Sequence, residues 1–174
     1  MITLGIETSC DETSVAVLKG DRNILSNVVF SSIREHEPYG GVVPEIASRA
    51  HLETMLPTLD GALKKAQISL KGVDLIAVTQ GPGLMGSLLV GASAAKALSL
   101  ALDKPLIGVD HVIAHIYAGL MVEPSLHFPF LGLAVSGGHT KILRMDGPDS
   151  IKLLGRTMDD AAGEAFDKVA KILG

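Results

Sequence analysis

The 174-residue chain sets 15 Lys and Arg against 19 Asp and Glu, for a formal net charge of −4, with 47% hydrophobic and 20% charged residues. That mix fits one ordinary domain, or a large piece of something longer, and argues against disorder. Aromatic residues make up 3% and Trp is absent, so the chain shows no basic footprint and no stacking platforms for nucleic acid; local patches, missing chain or a partner must supply any such grip. The single cysteine, Cys10, excludes an internal disulfide and fits a reducing compartment.

The opening Met1-Ile2-Thr3-Leu4-Gly5 has no basic stretch ahead of its apolar run, so no secretory signal is read there. Ile2 to Glu7 reads as a strand. The polar turn Thr8-Ser9-Cys10-Asp11-Glu12 leads to a second strand, Thr13 to Leu18, and Ile24 to Phe30 makes a third, giving an antiparallel meander. Arg34 to Gly41, with Pro38, Gly40 and Gly41, reads as a loop. Pro44 opens a helix, where its missing N–H costs nothing. Ile46, Ala50, Met55, Leu59 and Leu63 support that helix, and Pro57 is expected to kink or interrupt it. Val73 to Thr79 is nearly continuous in apolar residues, as in a strand buried on both faces.

Gln80 to Gly86 joins that strand to an apolar run ending at Leu102. Gly86, Ser87, Gly91, Ser93, Lys96 and Ser99 punctuate the run, which predicts a buried, small-residue helix rather than a membrane span. Pro105 to Val109 predicts another buried strand and Asp110 to Met121 a helix. Phe130 to Val135 and Lys141 to Met145 predict two strands, and Asp159 to Leu173 a last helix. Apolar strands alternating with helices predict a layered α/β domain, here assigned to the cytoplasm with no membrane partner.

Five features carry chemistry. His111 and His115 have i, i+4 spacing, which puts two imidazoles on one helix face just after a strand end, where α/β ligand sites gather. Two ordinary histidines on a half-exposed helix are the plainer reading. Gly81-Pro82-Gly83-Leu84-Met85-Gly86 matches a dinucleotide fingerprint, but Pro82 removes a donor where phosphate needs one, and two or three strands precede the unit. A glycine-rich helix start packed tightly on the sheet and some other phosphate role are the alternatives. Ser136-Gly137-Gly138-His139 is either a plain hairpin or a loop whose N–H groups approach phosphate or carboxylate oxygens. Asp11 and Glu12 are either a solvated polar turn or, with Thr8 to Thr13 facing a bound nucleotide phosphate, carboxylates placed for metal or proton work. Asp160, Glu164 and Asp167 share one face of the last helix. They read as a solvated acidic face with a Glu164–Lys168 pair, although Asp167 is also suited to accept from ribose or base donors.

In order along one chain these motifs are more specific. Gly5-Ile6-Glu7-Thr8-Ser9-Cys10-Asp11-Glu12-Thr13, Tyr39-Gly40-Gly41-Val42-Val43-Pro44-Glu45 and Gly81-Pro82-Gly83-Leu84 resemble the TsaD family, formerly called Gcp or O-sialoglycoprotein endopeptidase. Val135-Ser136-Gly137-Gly138-His139-Thr140 and the run Asp159 to Lys168 complete the resemblance over the whole chain.

The resemblance implies an α/β fold of the actin/hexokinase/Hsp70-like (ASKHA, ribonuclease H-like) class, with a mixed β-sheet flanked by helices. It implies a first lobe over 1–130 and the start of a second over 131–174. It further implies transfer of threonylcarbamoyl from threonylcarbamoyl-AMP to N6 of adenosine 37 in tRNAs reading codons that begin with A. The implied cofactor is one divalent metal, Fe2+ or Zn2+, held by His111 and His115. The implied ligand is a nucleotide, threonylcarbamoyl-AMP or ATP, contacted by Ala134, Val135, Ser136, Gly137, Gly138, His139 and Asp167, with Glu12 as the catalytic candidate. The implied partners are tRNA and, in bacteria, a degenerate ASKHA paralogue and a P-loop ATPase. The family is nearly twice as long and its third metal ligand, an Asp, lies beyond this chain, so a fragment without full activity is expected. A non-catalytic paralogue, a superfold ATPase or kinase, and a metallopeptidase are the competing classes. The last lacks the Glu of H-E-x-x-H, since Val112 follows His111.

Overall fold

The computed structural model describes residues 1–123 and 125–173. Its chain divides into two compact units, Met1–His111 and Val112–Gly174, a division upstream of the expected 130/131 boundary.

In the first unit, alternation decides the strands. Leu4 and Ile6 of β1 (Ile2–Glu7) and Val15 and Val17 of β2 (Glu12–Lys19) are buried on one face, while their neighbours face the other way. The two strands pair antiparallel with Ile6 opposite Val15, and β3 (Asn23–Ser31) continues the expected meander. β4 (Leu75–Gly81) lies parallel to β1, and β5 (Leu106–Asp110) parallel to β4, so the mixed sheet runs β3-β2-β1-β4-β5. The helices α2 (Pro44–Ala66) and α3 (Met85–Leu102) cover one face. Met55, Leu59, Ala62 and Ala95 close over Leu4, Ile6, Val15, Val17, Ile76 and Val78. Each large aliphatic side chain withdrawn from water there contributes about 1.5–3 kcal/mol.

In this unit four expectations need correction. The segment read as a loop holds a short helix, α1 (Ile33–His36), and a 3-10 turn over Glu37–Tyr39. Its organiser is His36, buried at 3% exposure. The Val43 N–H donates to His36 Nδ1 at 3.2 Å and Ser32 Oγ lies 3.2 Å from Nε2, so a polar-looking stretch is folded around one side chain. Of the kink or interruption expected at Pro57, the interruption does not occur: α2 runs on through it, because its packed face outweighs one lost backbone bond. α3 is long and apolar enough to cross a bilayer, but it is not buried all round. Only Ser87, Gly91 and Ala95 are buried, and Leu89 and Leu100 face outward. β5 is likewise not buried on both faces: Leu106 packs on the helical side and Ile107 stands half exposed on the other.

In the second unit, α4 (His111–Val122, whose first residue closes the first unit) packs Val112 and Ile116 against Ala134, Leu143 and Met145 of a three-stranded antiparallel sheet. That sheet is β6 (Phe130–Val135), β7 (Thr140–Gly147) and β8 (Ser150–Arg156), in sequential order. β8 was not anticipated. Its side chains are mostly exposed on both faces, so no clean alternation marks it. The last helix, α5 (Ala162–Leu173), starts later than expected. The Thr157 hydroxyl donates to the Asp160 carbonyl at 2.6 Å and the Ala162 N–H to Thr140 Oγ1 at 2.8 Å, which holds residues 157–161 out of the helix.

Candidate functional site

The first turn, Thr8 to Asp11, is gripped from several sides. Thr8 and Ser9 are buried at 0% and 2% exposure, and α3 reaches them through its small residues. The Thr8 hydroxyl donates to the Ser87 carbonyl at 2.8 Å, and a Cβ on Gly91 would lie 2.3 Å from Thr8 Oγ1. The Leu84 N–H donates to the Ser9 carbonyl at 2.8 Å, and a Cβ on Gly83 would lie 2.5 Å from that oxygen. Thus the glycine-rich stretch Gly81 to Gly86 backs onto the first turn, and the tight-packing alternative describes it. The Leu84 N–H, one of the donors a bound dinucleotide would use, is spent within the protein.

From α2, His51 Nε2 sits 3.0 Å from the Cys10 carbonyl and Nδ1 2.7 Å from the Thr13 hydroxyl, with His51 1% exposed. A carbonyl only accepts, so Nε2 carries the proton on that contact. The Ser32 hydroxyl and the Ser32 N–H both donate to the Asp11 carbonyl. These contacts hold the turn that leads into Glu12, the first residue of β2 rather than part of the turn. Register sets Glu12 and Ser14 on the same face as Glu7, opposite α2 and α3.

That face carries a second cluster. β1, β4 and β5 are parallel, so their C-terminal ends meet at one edge, the usual place for an α/β ligand site. Glu7 ends β1, Thr79 lies near the end of β4, and His111 follows β5. Glu7 Oε2 accepts from the Thr79 hydroxyl at 2.6 Å and lies 3.1 Å from His111 Nδ1, while Oε1 accepts the Ser9 N–H. Ser9 Oγ is 3.0 Å from the same Nδ1. Burial pushes the Glu7 carboxyl up, but the hydrogen bonds from His111, Ser9 and Thr79 outweigh it and hold the pKa at about 2. His111 is raised by its bond to Glu7, against a smaller opposing effect of burial, with the charges of Glu7 and Asp110 adding to the rise.

The other expected residues fall as follows. His111 opens α4 half-buried, and His115 follows one turn later on the same helix, exposed. As neutral imidazoles they suit a divalent ion as two donors of a set. No group of three or more His, Cys, Asp or Glu that could hold a metal is present among the described residues. Ser136 to His139 forms a tight reversal between β6 and β7, with the Ser136 N–H on the His139 carbonyl at 2.8 Å and the His139 N–H on Ser136 Oγ at 3.1 Å. Ala134 and Val135 end β6 just before it. The start of α5 is docked onto this loop. The Gly163 N–H donates to the Ser136 carbonyl at 3.2 Å, and a Cβ on Gly163 would lie 2.6 Å from that oxygen. Asp167, one turn further, is exposed, and Lys168 pairs with Asp160 at 2.6 Å and with Glu164 at 3.2 Å.

Sequence reasoning passed over Glu7, Thr79 and His51. Glu7 had one available signal, a lone carboxylate closing an apolar strand. His51 had none, because its periodic position reads equally as surface.

The family model described as TsaD: tRNA N6-adenosine threonylcarbamoyltransferase matches residues 23–174. The tRNA N6-adenosine threonylcarbamoyltransferase of Symbiobacterium thermophilum is 59% identical over 99% of this chain and 51% of its own length. That of Thermosipho melanesiensis is 59% identical over 100% of this chain and 53% of its own. The chain therefore spans about half the length of the curated relatives it matches. Among solved structures, YeaZ from Pseudomonas aeruginosa aligns with a TM-score of 0.56 at 20% identity, over 89% of this chain and 66% of that one. The activator of 2-hydroxyisocaproyl-CoA dehydratase from Clostridium difficile, with bound ADPNP, aligns at 0.52 and 18%, over 99% and 52%. At such identities the likeness shows the fold alone, which is ASKHA-like as expected.

Proposed function

The chain belongs to the TsaD family, and we propose on that footing that the protein it represents transfers threonylcarbamoyl from threonylcarbamoyl-AMP to N6 of adenosine 37 of tRNA. The observation that carries this is the 59% identity to curated enzymes of that name across essentially the whole chain. In the reaction, the adenine N6 attacks the carbamoyl carbonyl carbon, a C–N bond forms, the C–O bond to phosphate breaks, and AMP leaves as N6 gives up a proton. Glu12, on the open face of the first sheet, is the acceptor for that proton. The Ala134 to Gly138 stretch and His139 hold the nucleotide, supported by a loop fixed at both ends and docked by α5. Asp167, exposed on that helix, takes ribose or base donors.

His111 and His115 would hold a divalent metal, iron or zinc, which when bound supplies Lewis-acid polarisation and a template for the donor. The helical i, i+4 placement supports this reading. We assign lobes near the 130/131 boundary and a cytoplasmic setting on the same family footing. For the partners, a degenerate paralogue and a P-loop ATPase, support comes from an apolar groove of about 530 Å³ between α2 and α3, lined by Leu52, Leu56 and Leu89, whose side chains are exposed.

The test uses full-length enzyme with its partners, labelled threonylcarbamoyl-AMP and unmodified tRNA. Glu12→Ala is expected to lower transfer by about 100-fold or more, the scale of a lost general base. His111→Ala is expected to lose both metal and transfer. Retention of both would withdraw the metal assignment, and no transfer by wild type would withdraw the function.

A further inference from the structure

We propose that Glu7 is a positioning residue for His111, fixing the tautomer and orientation of its ring so that Nε2 is the nitrogen offered to a ligand. This rests on the reading of His111 as a metal ligand and goes beyond it by naming the group that orients it. The geometry is specific. Glu7 Oε1 accepts the Ser9 N–H, and Oε2 accepts the Thr79 hydroxyl at 2.6 Å and faces His111 Nδ1 at 3.1 Å. A carboxylate has no proton to give, so the proton on this contact belongs to Nδ1. Ser9 Oγ, 3.0 Å from the same nitrogen, then accepts the other branch of a forked bond. With Nδ1–H so held, the lone pair of the neutral ring is on Nε2. A carboxylate behind an imidazole in this way is what metal histidines require of their surroundings.

The arrangement is set by the sheet rather than by the histidine. Ile6 pairs with Val78 and Thr79 with Val109, so the ends of three parallel strands deliver Glu7, Thr79 and His111 to one edge. Thr79, itself 5% exposed, leaves Oε2 little freedom to turn away. An ion pair serving stability alone would hold the same atoms, so the test reads the ring itself.

In full-length protein, Co2+ affinity is measured by titration calorimetry for wild type, Glu7→Ala, Glu7→Gln and His111→Ala. Glu7→Ala is expected to weaken Co2+ binding by about 10- to 100-fold, the scale of a lost carboxylate partner, with His111→Ala binding none. Wild-type affinity in Glu7→Ala, with binding lost in His111→Ala, would overturn the proposal and leave the metal reading standing. Wild-type affinity in His111→Ala would instead remove the metal reading. The second readout needs no metal. In histidine-labelled apoprotein, at a pH where the ring is neutral, 15N shifts are expected to show His111 protonated at Nδ1, and Glu7→Gln to move it toward the Nε2–H form. An Nε2–H ring in wild type overturns the proposal whatever the metal does. Should Glu7→Ala not fold, the wild-type and Glu7→Gln spectra still decide it.

Discussion

Cys10 lies on the turn that α2, α3 and Ser32 all grip, and it is the side chain there whose chemistry is easiest to read. Burial pushes its thiol up, and the neighbouring Asp11 carboxylate adds to the shift, giving a pKa of about 11. The thiolate is the reactive form, so at pH 8 alkylation by iodoacetamide is expected to run about two orders of magnitude slower than for an ordinary cysteine. The sign follows from a raised thiol pKa: the rate should climb about tenfold per pH unit and still be climbing at pH 10. Mass spectrometry of the modified peptide checks this, and a plateau near pH 8.5 would refute it. At this scale the sequence was legible for residue type more than for partner. His111 and His115 stood out by spacing. Glu7 did not, because its partners Thr79 and His111 are 72 and 104 residues away and only the parallel register brings them together.

The helices and strands were legible where one face is apolar and the other is not. β1, β2, α2 and the β6–β7 pair follow from periodicity, and the Glu164–Lys168 pair from i, i+4 spacing. β8 escaped because exposure on both faces leaves no period, and α1 because its organiser is a buried histidine rather than a hydrophobic stripe. α3 was half legible. Its small residues announced close packing, but only the structure shows that the target is the Thr8 to Cys10 turn. Gly91→Val should therefore lower stability by about 1–3 kcal/mol, since the new side chain meets Thr8 Oγ1 and displaces its bond to Ser87. Gly119→Ala on α4, where nothing lies within 4 Å of a new Cβ, should be neutral or slightly stabilising. Urea unfolding of both variants checks the contrast.

For the molecule as a whole, composition argued against disorder, yet the second unit leaves much apolar surface open. Leu131, Leu133 and Val135 of β6 and Phe166, Val169 and Ile172 of α5 are each more than half exposed. Apolar area of that extent binds dyes and other proteins. The 174-residue chain is expected to enhance 8-anilinonaphthalene-sulfonate fluorescence several-fold over a full-length family member, and Leu131→Thr with Leu133→Thr to reduce it. Equal fluorescence from the two proteins would show that these faces are covered in solution. Such openness was not legible in the sequence, because an alternating strand and an amphipathic helix look the same whether or not anything covers their apolar side.

The seam between the first turn and α3 also constrains ancestry. Thr8 fits only against a residue as small as Gly91, and Ser9 only against Gly83. A chimera of two relatives with its crossover anywhere between residues 10 and 82 takes the two sides of this seam from different parents. Such recombinants should survive when both parents carry glycine at those two positions. They should fail when one parent has drifted, however similar the parents are elsewhere.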